Sequence, residues 1–185
     1  MTIIEKKNWY ADYYRSTDDK EFNLIHFVRD YLFQQRLRFI IYFRRAQSTR
    51  SKLIRAFFDW KLYRLSRKYG IEIKSNTKIG RGFLLCHAYD ITVTPFATIG
   101  ENVTMMKGST IGASRSGSPV IGNNVYIGLN STVIGGIKIG NNVLIAPNTL
   151  VNMDVPDNSL VIGSPGTIVP KENPTGPYIW KIWDH

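Results

Sequence analysis

Three segments of the chain, Ile99-Gly100-Glu101-Asn102-Val103, Ile121-Gly122-Asn123-Asn124-Val125 and Ile139-Gly140-Asn141-Asn142-Val143, are near copies of one another. They belong to a longer pattern in which an aliphatic residue or Met recurs with a six-residue period. Thirteen positions follow it: Ile73, Ile79, Leu85, Ile91, Ile99, Met105, Ile111, Ile121, Ile127, Val133, Ile139, Ile145 and Val151. This period predicts a parallel β-helix, in which three short strands form each triangular coil and the coils stack at a spacing of ~4.8 Å.

The residues next to the aliphatic positions indicate tight corners. Gly or Ala often follows the aliphatic residue, where a larger side chain would collide with the next coil. Asn tolerates a positive φ better than most residues do. We therefore expect left-handed corners at Asn102, Asn124 and Asn142.

The six-residue step is interrupted twice. It lengthens to eight residues between Ile91 and Ile99, and to ten between Ile111 and Ile121. Insertions in a solenoid leave the coil as loops, and loops on a rigid scaffold are where sites are built. The larger insertion covers residues 113–119.

The chain divides at Gly70, which is the first of its 15 glycines. Residues 22–69 hold no Gly or Pro, and their apolar residues recur at helical spacing, with a break at residues 47–51 where Ser51 is placed to cap the next helix. We predict a mainly β protein with an α-helical region at 1–70, a β-helix at 71–169 and an aromatic tail at 170–185.

The net charge of +10 lies almost entirely in the helical region, where residues 1–70 hold 16 basic and 7 acidic residues. This composition leaves two interpretations open, solvated polar faces of packed helices or peripheral contact with anionic lipid. Nucleic acid is not an expected partner, because no DNA- or RNA-binding motif accompanies the charge. A single cysteine, no apolar stretch long enough to span a membrane and no signal-peptide pattern predict a cytoplasmic protein, with any lipid contact at the inner face of the membrane.

Three stretches carry a family resemblance: residues 69–73, residues 78–88 around Leu85-Cys86-His87-Ala88, and residues 120–128. They resemble the hexapeptide-repeat acyltransferases, and within these the serine acetyltransferase group. The short helical region is closer in character to the O-acetyltransferases of capsule, exopolysaccharide and lipopolysaccharide assembly. The resemblance implies a left-handed β-helix, a homotrimer, and acetyl-CoA bound in the groove between neighbouring β-helices.

The resemblance also implies catalytic residues. The general base of the family is a histidine in a Leu-Asp-His-Ala context, held by a carboxylate fifteen residues earlier. The matching positions are His87 and Glu72. A carboxylate there would fix the tautomer of the imidazole and stabilise the imidazolium as it takes a proton from an acceptor hydroxyl.

For acetyl-CoA, the family positions that line the pantetheine arm match Gly112, Ala113, Ser131 and Ala146. The usual basic residue near the end of the β-helix is missing, so Lys171 is the candidate for the CoA phosphates. No metal is expected, since a zinc enzyme of this fold needs about three histidines and the repeat region has only His87.

The acceptor site departs from the serine enzymes, which have Asp, Arg and His where this chain has Cys86, Gly117 and Ser118. Without these charges the sequence predicts a sugar hydroxyl as acceptor, on a small-molecule or lipid-linked sugar of surface polysaccharide biosynthesis, with Cys86, Arg115 and Ser118 near it. Two alternatives stay open: serine O-acetylation in cysteine biosynthesis, and a non-catalytic hexapeptide-repeat binding protein.

Overall fold

The computed structural model describes residues 3–17, 22–179 and 181–184. Four helices precede the strands in these residues: α1 (Ile3–Ser16), α2 (Leu24–Phe33), α3 (Gln35–Ser48) and α4 (Lys52–Tyr69). The predicted break between helices is present, because α3 ends at Ser48 and the Ser51 side chain accepts a hydrogen bond from the Ile54 N–H at 3.4 Å. Gly70, at φ +68°, ends α4 in the left-handed conformation.

Fifteen short strands follow in the described residues: β1 (Ile71–Ile73), β2 (Lys78–Ile79), β3 (Leu84–Cys86), β4 (Ile91–Val93), β5 (Thr98–Ile99), β6 (Thr104–Met106), β7 (Thr110–Gly112), β8 (Val120–Ile121), β9 (Tyr126–Ile127), β10 (Thr132–Ile134), β11 (Lys138–Ile139), β12 (Val143–Ile145), β13 (Leu150–Val151), β14 (Ser159–Ile162) and β15 (Thr167–Pro170). They form three sheets. Sheet 1 has the order β1-β4-β7-β10-β13, sheet 2 the order β2-β5-β8-β11, and sheet 3 the order β3-β6-β9-β12-β14-β15. All neighbours are parallel except β14 and β15, so the predicted parallel β-helix is confirmed.

The inward aliphatic residues form the core. All thirteen positions of the six-residue pattern are buried, with at most 8% of any of these residues exposed. Four of them, together with Val93, make the ladder of sheet 1, in which Ile73 lies beside Val93 and Val93 beside Ile111. Ile91 lies beside Ile71 instead, in a second inward row.

This register corrects the position of the first insertion. The two extra residues lie between Leu85 and Val93, at the corner that contains His87, and not after Ile91. The period could not distinguish these positions, because Ile91 and Val93 are both apolar, both point inward and are both buried.

The predicted asparagine corners are confirmed. Asn102, Asn124 and Asn142 have φ values of +56°, +55° and +53°. Their amides also connect successive coils, since the Asn124 Nδ2 donates to Asn142 Oδ1 at 3.1 Å and the Asn142 Nδ2 donates to Asn158 Oδ1 at 3.2 Å.

A buried ion pair attaches the helices to the first coil. The Arg44 guanidinium donates to the Asp12 carboxylate at 2.7 Å and to the carbonyl oxygen of Ile79 at 2.8 Å. Asp12 also accepts from the Phe83 N–H at 2.7 Å. Both charged side chains are almost completely buried, so the polar groups of helix and coil satisfy one another where no water reaches.

The C-terminal residues pack on the β-helix of their own chain. The rings of Tyr178 and Tyr126 lie 4.9 Å apart, which places the tail on the outer face of sheet 3. Further on, the Trp183 N–H donates to Asn102 Oδ1 at 2.9 Å, and the Trp183 ring contacts Tyr14 of α1. Trp180 of the predicted aromatic tail lies outside the described residues.

Candidate active site

His87 lies at a corner of the first coil, directly after β3 of sheet 3 ends at Cys86 and before β4 of sheet 1 begins at Ile91. Its backbone is left-handed, with φ +49°, and its carbonyl oxygen accepts a hydrogen bond from the Tyr89 N–H at 2.7 Å. The imidazole is exposed. A substrate can therefore reach it without any movement of the core.

The corner is held on both sides by main-chain hydrogen bonds. The Asp90 N–H donates to the Tyr69 carbonyl at the end of α4 at 3.0 Å, and the Gly108 N–H of the next coil donates to the Tyr89 carbonyl at 3.1 Å. The rings of Tyr69 and Tyr89 meet edge to face at 5.6 Å. Because a residue of α4 and a residue of the next coil fix this loop, the position of His87 is set by the scaffold.

Glu72 lies in the middle of β1, beside Thr92, with its side chain exposed. It lines a groove of about 790 Å³ between α4 and sheet 1. The groove also contains Arg55, Arg67 and Lys74, which are far apart in the sequence and come together only in the fold. This is a charged cleft of the size that ligand sites have.

His87 does not line that groove, and the structure does not join it to Glu72. Within the described part of the chain, the imidazole and the carboxylate form neither a hydrogen bond nor an ion pair with each other. Glu72 lies in the middle of β1, whereas His87 lies at the corner that precedes β4, the strand that pairs with β1. Their predicted interaction stays a prediction.

The predicted acetyl-CoA positions lie at two different edges of sheet 1. Ser131 and Ala146 are together, since the Ser131 hydroxyl donates to the Ala146 carbonyl at 2.8 Å on the edge that also carries His87. Gly112 ends β7 at the opposite edge, and Ala113 follows it, exposed. Ser131 is fully buried, so its hydroxyl serves the coil itself in this chain.

Lys171 is exposed and lies directly after β15, where its N–H donates to the Asn158 carbonyl at 2.9 Å. This position follows the last strand of sheet 3. The structure does not bring Lys171 together with Gly112 or Ala113 at the far edge of sheet 1.

The loop of the larger insertion is a small hairpin. The main chains of Ser114 and Gly117 exchange hydrogen bonds of 2.9 and 3.1 Å, and the Ser116 hydroxyl accepts from the Gly136 N–H of the next coil at 3.0 Å. Arg115 at its tip is exposed, and Ser118 is half-buried. The hairpin therefore presents a cationic side chain beside the edge that carries Gly112.

Cys86 is half-buried on sheet 3, one residue before His87. Burial raises the pKa of its thiol, against the opposing effect of the Arg36 and Arg15 guanidiniums. The thiol is neutral at neutral pH and carries no charge that could pair with an ammonium group. No group of three or more potential metal-ligating side chains occurs among the residues that the structure describes.

Comparison with known proteins identifies the coils. Residues 118–152 match the family described as bacterial transferase hexapeptide, with six repeats. This part of the β-helix is therefore similar to transferase hexapeptide repeats. The chain is 37% identical over 78 residues to serine acetyltransferase 1, chloroplastic, of Arabidopsis thaliana, and 39% identical over 79 residues to a serine acetyltransferase of Staphylococcus epidermidis. Each match covers 40% of this chain, but only 25% and 37% of those relatives' own length.

Solved structures extend the likeness beyond the hexapeptide repeats to the helices. The soybean serine acetyltransferase apoenzyme superposes with a TM-score of 0.76 at 25% identity, covering 89% of this chain and 69% of the soybean chain. The Neisseria gonorrhoeae serine acetyltransferase superposes with a TM-score of 0.72 at 26% identity, covering 91% and 67%.

These relatives overturn the acceptor predicted from the sequence. The prediction of a sugar hydroxyl in surface polysaccharide biosynthesis is wrong, because the hexapeptide repeats and the helices are similar to those of serine acetyltransferases. The three positions Cys86, Gly117 and Ser118 carry less information about the acceptor than the whole coil region does. Loss of a charge at one position does not exclude a charged substrate when other charged side chains lie nearby.

Proposed function

We propose that the protein is an acetyl-CoA-dependent O-acetyltransferase that transfers the acetyl group to the hydroxyl of L-serine. The observation that carries this proposal is the likeness to serine acetyltransferases, which extends over 91% of this chain in the Neisseria gonorrhoeae structure. We place the reaction in the cytoplasm, because a single cysteine gives no disulfide framework of the kind that small secreted domains use.

His87 is proposed as the general base. Its exposed imidazole would take the proton of the serine hydroxyl as that oxygen attacks the thioester carbonyl of acetyl-CoA. The carbon–sulfur bond then breaks, and the imidazolium returns the proton to the leaving thiolate. Glu72 is proposed to orient the imidazole in the assembled site, and a main-chain N–H at Gly112 or Ala113 to stabilise the oxyanion.

We propose a homotrimer, and the placement of the predicted acetyl-CoA positions supports a site shared between chains. His87, Ser131 and Ala146 lie on one edge of sheet 1, while Gly112 and Ala113 lie on the other. A site that uses both sets is complete when the two edges come from neighbouring chains.

A solved serine acetyltransferase in complex with CoA shares the fold, with a TM-score of 0.71 at 22% identity. We propose Lys171 for the CoA phosphates.

The acceptor carboxylate needs a cation, because the arginine of the serine enzymes is replaced by Gly117. Arg115 is two residues away on the same hairpin, and its exposed guanidinium can bind a carboxylate with two parallel hydrogen bonds. Cys86 and Ser118 would border the acceptor without contributing charge.

The test is direct. Purified protein is incubated with acetyl-CoA and L-serine, free CoA is measured with a thiol reagent, and O-acetylserine is identified by mass spectrometry. We expect both products in equal amounts, and loss of both with Arg115→Ala at low serine concentration. Acetyl-CoA binding without O-acetylserine at any serine concentration would contradict the proposed acceptor.

A further inference from the structure

The helix α2 exposes one whole apolar face. Its large apolar side chains recur at i, i+1, i+4, i+8 and i+9, which places them on one side of a helix. They are Leu24, Ile25, Val28, Leu32 and Phe33. Ile25 and Phe33 are each 79% exposed, so the face makes little contact with the rest of the described chain.

The helix α4 exposes a second apolar face. Its exposed large side chains are Leu53, Ile54, Phe57, Trp60 and Tyr63, and Leu53 is 84% exposed. Together with the five of α2 they form what we call the α2/α4 surface. They make up ten of the 19 exposed large hydrophobic residues in the described part of the chain. Scattered single residues of this kind need no explanation, but a concentration on two helices does.

Both helices are attached to the same third helix. Tyr42 of α3 shares a hydrogen bond of 3.0 Å with the hydroxyl of Tyr31 of α2, and its ring lies 6.0 Å from that of Phe58 of α4. The helices α2 and α4 therefore both pack against α3, and each keeps its own apolar face exposed.

Cations accompany the apolar side chains. The Lys61 ammonium lies 5.4 Å from the ring centroids of both Phe57 and Trp60, and the Arg64 guanidinium lies 5.2 Å from that of Trp60. Residues 29–68 hold 12 basic and 2 acidic residues. One of the two acids, Asp30, is already paired with Arg29 at 3.0 Å.

We propose that the α2/α4 surface binds the surface of an anionic lipid bilayer. The aliphatic and aromatic side chains would enter the boundary between headgroups and acyl chains, and the lysines and arginines would meet the anionic headgroups. The binding is peripheral, since no helix of the described residues is long and apolar enough to cross a membrane.

Charge and apolar area together distinguish an anionic bilayer from two other possible partners, a second copy of the chain and a nucleic acid. A second copy of the same surface would bring two strongly basic segments together, and like charges repel. A nucleic acid would satisfy the cations but leave Ile25, Phe33 and Leu53 in water. An anionic bilayer satisfies both the charge and the apolar area.

The test uses the full chain and vesicle flotation. Vesicles of mixed phosphatidylglycerol and phosphatidylcholine are compared with vesicles of phosphatidylcholine alone, at low and high salt. We expect flotation with the anionic vesicles at low salt, weakened by high salt because exposed charges are screened. The triple variant Ile25→Gln, Phe33→Gln, Leu53→Gln should lower the partition coefficient at least tenfold. These three side chains are exposed, so the fold should be kept.

The matched control is Phe96→Gln, which removes an equally exposed aromatic ring, 78% exposed, from the β-helix. It should float like the unchanged protein. Equal flotation of the triple variant and the unchanged protein would overturn the proposal. So would an absence of flotation with the anionic vesicles. A larger assembly that the triple variant dissociates would then show that the partner is a second copy. Acetyl transfer plays no part in either readout, so this proposal and the proposed activity can fail independently.

Discussion

Val93 lies beside Ile73 in the parallel pair of β1 and β4, while Ile91 lies beside Ile71. Twenty residues therefore separate equivalent positions across the first coil, against eighteen between Val93 and Ile111. The two additional residues are accommodated at the corner of His87. This corner is wider than the one above it, and it is where the chain presents its exposed imidazole.

The first prediction concerns that imidazole. His87→Ala should lower kcat for acetyl transfer by about 10²–10⁴-fold, with little change in acetyl-CoA affinity, because a general base acts in the transition state. Glu72→Gln should lower kcat less, since the glutamine amide would keep part of the orientation of the His87 imidazole. Steady-state kinetics and acetyl-CoA titration separate the two quantities.

Lys107→Ala is the matched control, because Met106 pairs with Cys86 and Lys107 thus occupies the same corner one coil above. It should leave kcat unchanged. Full activity of His87→Ala would exclude His87 as the base.

Much of this architecture can be predicted from the sequence. The six-residue period identifies the buried ladder, and the asparagines at Asn102, Asn124 and Asn142 identify left-handed corners, since both depend only on local chemistry. The register of Ile91 and Val93 was not predictable, because two apolar residues of similar size satisfy the same pattern. The groove with Arg55 and Lys74 was not predictable either, because its two walls come from separate elements that only the fold brings together.

The second prediction concerns the close approach of coils. A Cβ atom at Gly122 would lie 2.7 Å from the Gly140 carbonyl oxygen, whereas one at Gly112 would meet nothing closer than 3.5 Å. Gly122→Ala should lower stability by about 1–3 kcal/mol, as overpacking does. Gly112→Ala should change it much less. Thermal unfolding followed by circular dichroism compares the two, and equal melting temperatures would show that the coils can move apart.

The third prediction concerns the attachment of the helices. Asp12→Ala leaves the buried Arg44 guanidinium without its carboxylate partner and the Phe83 N–H without its acceptor. Breaking a buried pair in this way costs about 3–5 kcal/mol. The control is Glu101→Ala, whose pair with Arg81 is at the surface and should contribute about 1 kcal/mol or less. Urea unfolding of both variants measures the difference, and a similar loss in both would mean that the helices are held mainly by apolar packing.

The last prediction concerns the acceptor and rests on the proposed activity. The serine enzymes have an aspartate where this chain has Cys86, whose neutral thiol cannot pair with the ammonium of serine. Cys86→Asp should lower the KM for serine about tenfold, because a hydrogen bond to a charged group contributes roughly 1.5–3 kcal/mol. The KM for acetyl-CoA should stay the same. Cys86→Asn is the matched control, with a similar shape and no charge, and it should leave the KM for serine near that of the unchanged protein. If the two variants have the same KM, position 86 does not face the ammonium, and the cations of the hairpin and the groove would have to carry acceptor recognition without a paired carboxylate.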